Sequence, residues 1–224
     1  MLKNLIDSEN TENSEFYKPS SQEITNFKKN NIVSSKFKNI ALEFIKELDK
    51  EILEFDKIKD NEVKFSEEIK FYSQSDDYFE LSPFYVSSFN FGGISFNSVE
   101  QMYDFIKSLY SSNFSVNNSN LEILHEDSLN MAFKILIQTK PIYCYNYAKK
   151  VETSNNFKKS KIKLLYICNK FKFMNNQNLI NKLKETEGKT LIWDNKFSSD
   201  LGVGRNGKGK NIFGIILMTL RNNI

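Results

Sequence analysis

The chain has 224 residues, 40% of them hydrophobic and twenty of them phenylalanine, with 31 basic and 28 acidic side chains and a net charge of +3. That is enough apolar material for one domain with an extension, and the near-balanced charge does not mark a protein that coats nucleic acid. Cys144 and Cys168 form no C-x-x-C pair and His125 stands alone, so no usual zinc set can be assembled. The two cysteines read as buried thiols of a reducing compartment, and no metal or cofactor is expected. No apolar run approaches the length of a membrane span. The first ten residues are polar where a signal peptide is apolar, so a soluble cytoplasmic protein is expected.

Residues 1 to about 35 are polar with few periodic apolar positions and read as a loose arm. From Ser35 to about Lys59 apolar residues recur at helical spacing, among them Phe37, Phe44, Ile45, Leu48 and Ile52, which predicts a long amphipathic helix. Its stripe either packs on the main domain or serves a partner; the former is the commoner use. These first sixty residues form the expected extension, and 61–224 the main domain. Ile69–Tyr72, Phe89–Phe91 and Ile94–Phe96 alternate apolar and polar residues as short strands do. Gly92-Gly93 between the last two is a hairpin turn signal. Helices are predicted from Asn97 or Ser98 to about Tyr110, and over 121–138, 143–152, 158–173 and 177–187. A strand is predicted at Leu191–Trp193, followed by a glycine-rich loop and a terminal helix from Ile212. The plan is a mostly helical α+β domain with a few short strands.

Half of the eight glycines lie in Gly202-Val-Gly-Arg-Asn-Gly-Lys-Gly-Lys-Asn211. Glycine is entropically costly and is kept where backbone turns sharply or approaches a ligand closely. With Arg205, Lys208 and Lys210 among the glycines, the expected visitor is an anion, met also by the N-terminus of the terminal helix. The stretch satisfies G-x-G-x-x-G, but the chain ends too soon for a dinucleotide unit. It satisfies G-x-x-x-x-G-K, but Gly209 stands where a triphosphate loop needs Ser or Thr. The plainer reading is a flexible turn that caps the last helix.

A second cluster sits on the helix from Ser98. Glu100, Asp104 and Lys107 share one face, with Tyr103 beside them. A carboxylate, a cation and an aromatic ring on one strip could work on a charged substrate. Equally, Asn97 and Glu100 fit a capping box, and Asp104 and Lys107 a surface ion pair.

Together the two clusters carry a resemblance. Phe71-Tyr-Ser-Gln-Ser-Asp-Asp-Tyr78, Leu81-Ser-Pro-Phe84 and Ile94-Ser-Phe-Asn-Ser-Val-Glu100, with Tyr103 and Lys107, resemble the front half of the NADAR family. Lys170-Phe171, Leu179, Leu183, Gly202-x-Gly204-x-x-Gly207-Lys-Gly-Lys-Asn211, Phe213-Gly214, Leu217-Met218 and Arg221 resemble its back half. The likeness covers Ile69 to Arg221. It implies a helical α+β fold and cleavage of an N-glycosidic bond between a phosphorylated ribose or ADP-ribose and a base, either a riboflavin-pathway intermediate or ADP-ribosylated guanine in nucleic acid. Here Gln101, Pro83 and Leu201 replace the family's usual His, Asn and Trp, so a binder of ADP-ribose that has lost catalysis is the alternative. An interaction protein working through the 37–55 helix is a third reading.

On the resemblance, Glu100 is the catalytic residue, stabilising an oxocarbenium-like state and directing water as carboxylates do in glycoside hydrolysis. Lys107 holds a phosphate or steadies Glu100. Gly202, Gly204 and Gly207 offer backbone N–H groups to phosphate, Lys208 adds charge, and Asn211 fixes the turn or the ribose. Phe71 or Tyr103 stacks on base or sugar, although core packing is the safer use of each ring.

Overall fold

The computed structural model describes residues 16–56, 67–110 and 124–224. Its helices are α1 (Ser21–Asn30), α2 (Ser35–Phe55), α3 (Val99–Leu109), α4 (Glu126–Leu136), α5 (Pro141–Ala148), α6 (Asn155–Met174), α7 (Gln177–Lys184) and α8 (Ile212–Arg221). Its strands are β1 (Glu67–Phe71), β2 (Phe89–Phe91), β3 (Ile94–Phe96) and β4 (Lys189–Trp193), and a 3-10 turn covers Phe79–Leu81. The fold is α+β and mostly helical. Among the described residues no helix is long and apolar enough to cross a membrane.

The segment expected to be loose contains α1. Ser20 caps it by accepting from the Glu23 N–H, and the Glu23 carboxylate reaches back to the Ser20 N–H, a reciprocal pair that fixes the first turn. Phe27 is buried against Phe133 of α4, their rings 4.8 Å apart. Ahead of α1, Tyr17 exchanges backbone hydrogen bonds with Gly93 and Ser95, so the chain before the helix adds to the hairpin edge.

The α2 stripe is core, not partner surface. Phe37, Ala41, Phe44, Ile45 and Leu48 are buried. Phe44 packs edge-on to Phe91, Phe96 and Phe105 at 5.3, 5.8 and 5.1 Å, joining α2, the hairpin and α3. The hairpin itself forms as its turn residues demand, with Gly92 and Gly93 both at positive φ. A predicted start at Tyr143 gives way to Pro141, which suits a first helical position because its missing N–H is not needed there. The expected helix residues 57–59 and 121–123 lie outside the described residues.

Strands β1 and β4 pair in parallel, Ile69 opposite Leu191 and Phe71 opposite Trp193. They carry a second apolar cluster with Phe173, Leu179, Phe213 and Leu217, separate from the cluster built by α2, the hairpin, α4 and α5. Helix α6 contributes to both, and Tyr103 of α3 touches both. Helix α3 is thus buried nearly all round, with nine of its eleven residues inside. Phe44→Ala should cost about 3–5 kcal/mol by cavity formation. Urea denaturation will show this as a lower midpoint; a loss below about 1 kcal/mol would mean that α2 is peripheral to the core.

Candidate functional site

Helix α3 starts in a way that leaves Glu100 available. Ser98, not Asn97, is the cap: its Oγ accepts from the Gln101 N–H at 3.1 Å. Gln101 completes the exchange, its Oε1 accepting from the Asn97 N–H at 2.8 Å. Its amide also donates to the carbonyls of Leu136 and Gln138, at 3.0 and 2.9 Å, tying α3 to the end of α4. The expected capping role of Glu100 is therefore taken by its neighbour. The Glu100 N–H donates instead to the Pro83 carbonyl at 3.0 Å.

The carboxyls of Glu100 and Asp104 lie one turn apart and are both inside, with 9% and 3% of their surface exposed. Burial raises both above the usual carboxylate range, Asp104 to about 7. The hydrogen bond between them raises Glu100 and lowers Asp104. One proton is therefore shared between the two carboxyls over the range where a free pair would have lost both, as expected where two carboxyls share one site. Asp104 Oδ2 finds no donor from the rest of the protein. The charge of Lys107 favours ionisation of both. The Lys107 ammonium donates to the Ala148 carbonyl at 2.8 Å, fixing it at the end of α5. Burial, then these carboxyls, push the Cys168 and Cys144 thiols up, so both remain protonated and inert.

One turn further along the same face, Tyr103 and Lys107 line a cleft of about 280 Å³ with Thr153, Phe157, Lys158 and Lys161. The Tyr103 ring lies 5.5 Å from Phe157. Glu100 is not part of this lining; it sits a turn before it on α3. The cleft reaches the glycine-rich loop through Lys161, whose Nζ lies 2.5 Å from Asp200, while Lys210 meets the other Asp200 oxygen at 2.9 Å. Hydrogen bonds from the two lysines hold the Asp200 carboxyl below its ordinary range.

Most of the loop's N–H groups are already used within the protein. The N–H groups of Gly202, Gly204, Gly207, Gly209, Lys210 and Asn211 all donate to backbone carbonyls between Asn195 and Gly204. The Lys208 N–H donates to the Asn206 side chain. Even the first α8 donors are used, Ile212 to Asp200 and Phe213 to Leu201. Gly202, Gly204 and Gly207 are therefore turn and packing residues rather than phosphate ligands. A Cβ at Gly202 would stand 2.7 Å from the Asn195 carbonyl oxygen, and Gly204 has φ +64°. Lys208 is exposed on this loop. Asn211 completes the edge of β4, accepting from the Trp193 N–H at 2.9 Å and donating to the Leu191 carbonyl at 2.8 Å. That uses one acceptor and one donor site of the amide to fix the turn. Phe71 is fully buried against Phe213, so it cannot stack on a substrate. Of the expected binding residues, the structure brings Tyr103 and Lys107 together at the cleft.

Lys172 was not anticipated. It is fully buried, and its Nζ donates to the Glu80 and Ser82 carbonyls at 2.6 and 2.9 Å, beneath the Tyr85 ring. Burial lowers it to about 7. It secures the turn whose Pro83 carbonyl takes the Glu100 N–H. Its place on the apolar stripe with Leu165 and Cys168 was the available signal, hidden among the many lysines of α6. Lys158 and Lys161 were missed for the same reason.

Comparison with known proteins now bears on this geometry. A family model described as the NADAR domain matches residues 70–224. The chain belongs to the NADAR family. The NMR structure of the E. coli protein YbiA is similar, with a TM-score of 0.57 and 22% identity over 74% of this chain and 89% of that one. At that identity the likeness speaks to fold alone. A search of curated proteins finds no match.

The carboxyl pair has a consequence for stability. Unfolded, both groups lose their protons near pH 4; folded, they keep a proton well above that. The folded state binds more protons between those values, so raising pH there destabilises it. The double variant Glu100→Gln/Asp104→Asn lacks this titration. Relative to the native chain it should gain at least about 1 kcal/mol between pH 4 and pH 8, read from denaturation midpoints at the two pH values. A constant difference would show that the carboxyls titrate normally.

Proposed function

We propose that this member of the NADAR family hydrolyses an N-glycosidic bond between a phosphorylated ribose and a base, with Glu100 as the proton-carrying catalytic residue. The observation that supports this best is the buried Glu100–Asp104 pair one turn from a cleft carrying three lysines. Buried ionisable groups are costly on a helix interior and cluster where chemistry needs shifted proton affinities. Glu100 is the less buried of the two by surface and lies one turn before the cleft, so we assign it the proton transfer and Asp104 the supporting role.

The chemistry then balances in one cycle. The C–N bonding electrons leave with the base, and the Glu100 proton goes to the departing nitrogen. The pair is left with two negative charges beside the cation growing at the anomeric carbon, which stabilises it. Water adds to that carbon and returns a proton to Glu100. The products are a free ribose hydroxyl and a protonated base, with the carboxyl pair restored. Lys107, Lys158 and Lys161 take the phosphate through their side chains, in place of the loop backbone. At about 280 Å³ the cleft is smaller than the roughly 300–1,000 Å³ of sites that enclose a drug-sized ligand. It suits a ribose phosphate, with the rest of an ADP-ribose or nucleic-acid substrate outside.

The second reading, a binder of ADP-ribose without turnover, draws on the absence of Glu100 from the cleft lining. Both are tested by incubating the protein with ADP-ribosylated DNA and with a phosphoribosyl pyrimidine, beside calorimetry with ADP-ribose. Glu100→Gln should reduce base release by about 10²–10⁴-fold with an unchanged circular dichroism spectrum and ligand affinity. Binding without release by the native protein would favour the second reading, and undiminished release by the variant would remove Glu100 from the mechanism.

A further inference from the structure

Asp200 stands where the lysine cleft meets the glycine-rich loop, and no step of the proposed chemistry uses it. Its two carboxylate oxygens are taken by cations from different elements, Oδ2 by Lys161 of α6 and Oδ1 by Lys210 of the loop. Asp200 and Lys161 are partly exposed and Lys210 is exposed, so water and ions reach all three groups. The backbone around Asp200 does not depend on its carboxylate. The Ser199 carbonyl accepts from the Lys210 N–H at 2.8 Å, and the Asp200 carbonyl accepts from the Ile212 N–H at 3.3 Å. The side chain can therefore swing away about its own χ1 bond while the loop stays in place.

A carboxylate held between two ammonium groups at the edge of a cationic cleft stands where an incoming anion would. We propose that Asp200 is a tethered competitor for the phosphate of the substrate. It holds the position between Lys161 and Lys210 until a sugar phosphate monoester displaces it and draws Lys210 into the site. The inference rests on the reading that the lysine cleft takes a phosphate, and it adds Asp200 and Lys210 to that site.

The charges decide the exchange. Ion pairs between exposed side chains are weak, so the carboxylate is displaced at small cost. A phosphate monoester brings a charge of about −1.5 to −2 and three acceptor oxygens, against the single charge and two oxygens of a carboxylate. It gains more from the same lysines than it removes, whereas a neutral sugar gains nothing from them. The cleft thereby excludes weak anions by a group already in place, a repulsive element that sharpens selection. Hydrogen bonds from Lys161 and Lys210 hold the Asp200 carboxyl below its ordinary range, so it stays ionised at neutral pH. A stronger anion removes it, and a proton does not.

The test is calorimetry with ribose 5-phosphate, and with ribose as the neutral control, on the full chain and on Asp200→Asn. The amide keeps the shape and one acceptor and loses the charge. Asp200→Asn should bind ribose 5-phosphate about three- to thirtyfold more tightly, with its response to ribose unchanged. Adding Lys210→Gln to Asp200→Asn should weaken binding again by at least about threefold. Asp194→Asn removes an equal charge from the same segment, one paired with Lys196 and not with a cleft lysine, and should alter affinity by less than about twofold. Circular dichroism should be the same for every form. Binding of ribose 5-phosphate that Asp200→Asn leaves unchanged or weakens, or an equal gain from Asp194→Asn, would overturn the competitor and leave the cleft as a phosphate site. If neither the native chain nor Asp200→Asn binds ribose 5-phosphate, the phosphate reading of the cleft falls, and this inference falls with it.

Discussion

Two carboxyl groups set one turn apart on a helix that is buried on nearly every side carry two charges together only at a cost. Glu100 and Asp104 are so placed, and much of the surrounding structure follows from accommodating them. One proton shared between them reduces the charge to be buried, and the Lys107 cation offsets part of the remainder. The helix that carries them is held by neighbours that do not compete for the carboxyls. Gln101 serves the helix start, the Pro83 carbonyl takes the Glu100 N–H, and Lys172 fixes the turn that presents Pro83. Such an arrangement gives up stability at neutral pH, which is the usual sign of a site kept for chemistry.

The glycine-rich loop plays a different part from the one its composition suggests. Gly202 and Gly209 are there because backbone passes close to backbone, and Gly204 and Gly207 because their φ is positive. A Cβ at Gly209 would lie 2.3 Å from the Gly202 carbonyl oxygen, and one at Gly214 would lie 2.1 Å from that of Leu191. The loop donates most of its N–H groups to nearby backbone carbonyls, and its own carbonyls accept from the start of α8. The positive charge at the cleft comes instead from Lys107 on α3 and from Lys158 and Lys161 on α6. Asp200 gathers Lys161 and Lys210, so it joins loop to cleft by side chains alone.

What could be read from the sequence was what local pattern determines. The α2 stripe, the Gly92-Gly93 hairpin, α3 and the run of later helices all follow from periodicity and turn chemistry. So did the pairing of Glu100 with Asp104 and Lys107 on one face. The start of α1 was legible in Ser20-x-x-Glu23, but the polar composition around it outweighed that signal. Long-range partners were not legible. Nothing local says that β1 pairs with β4 across more than a hundred residues, or that Asn211 continues the β4 edge. Whether a glycine faces an anion or a carbonyl is likewise decided by distant chain. The choice between Glu100 and Gln101 at the helix start turned on Gln101 also finding the α4 carbonyls, a tertiary contact. Lys172 was hidden because a lysine-rich helix gives no local sign of which lysine turns inward.

The central claim is that the Glu100–Asp104 pair retains a proton at neutral pH. Carboxyl-carbon NMR of selectively labelled protein, followed from pH 3 to 9, reads it directly. The account predicts coupled titration of these two carbons, with at least one carboxyl still protonated at pH 6 and the unusual behaviour lost in Asp104→Asn. Two independent transitions near pH 4, complete by pH 5.5, would contradict it.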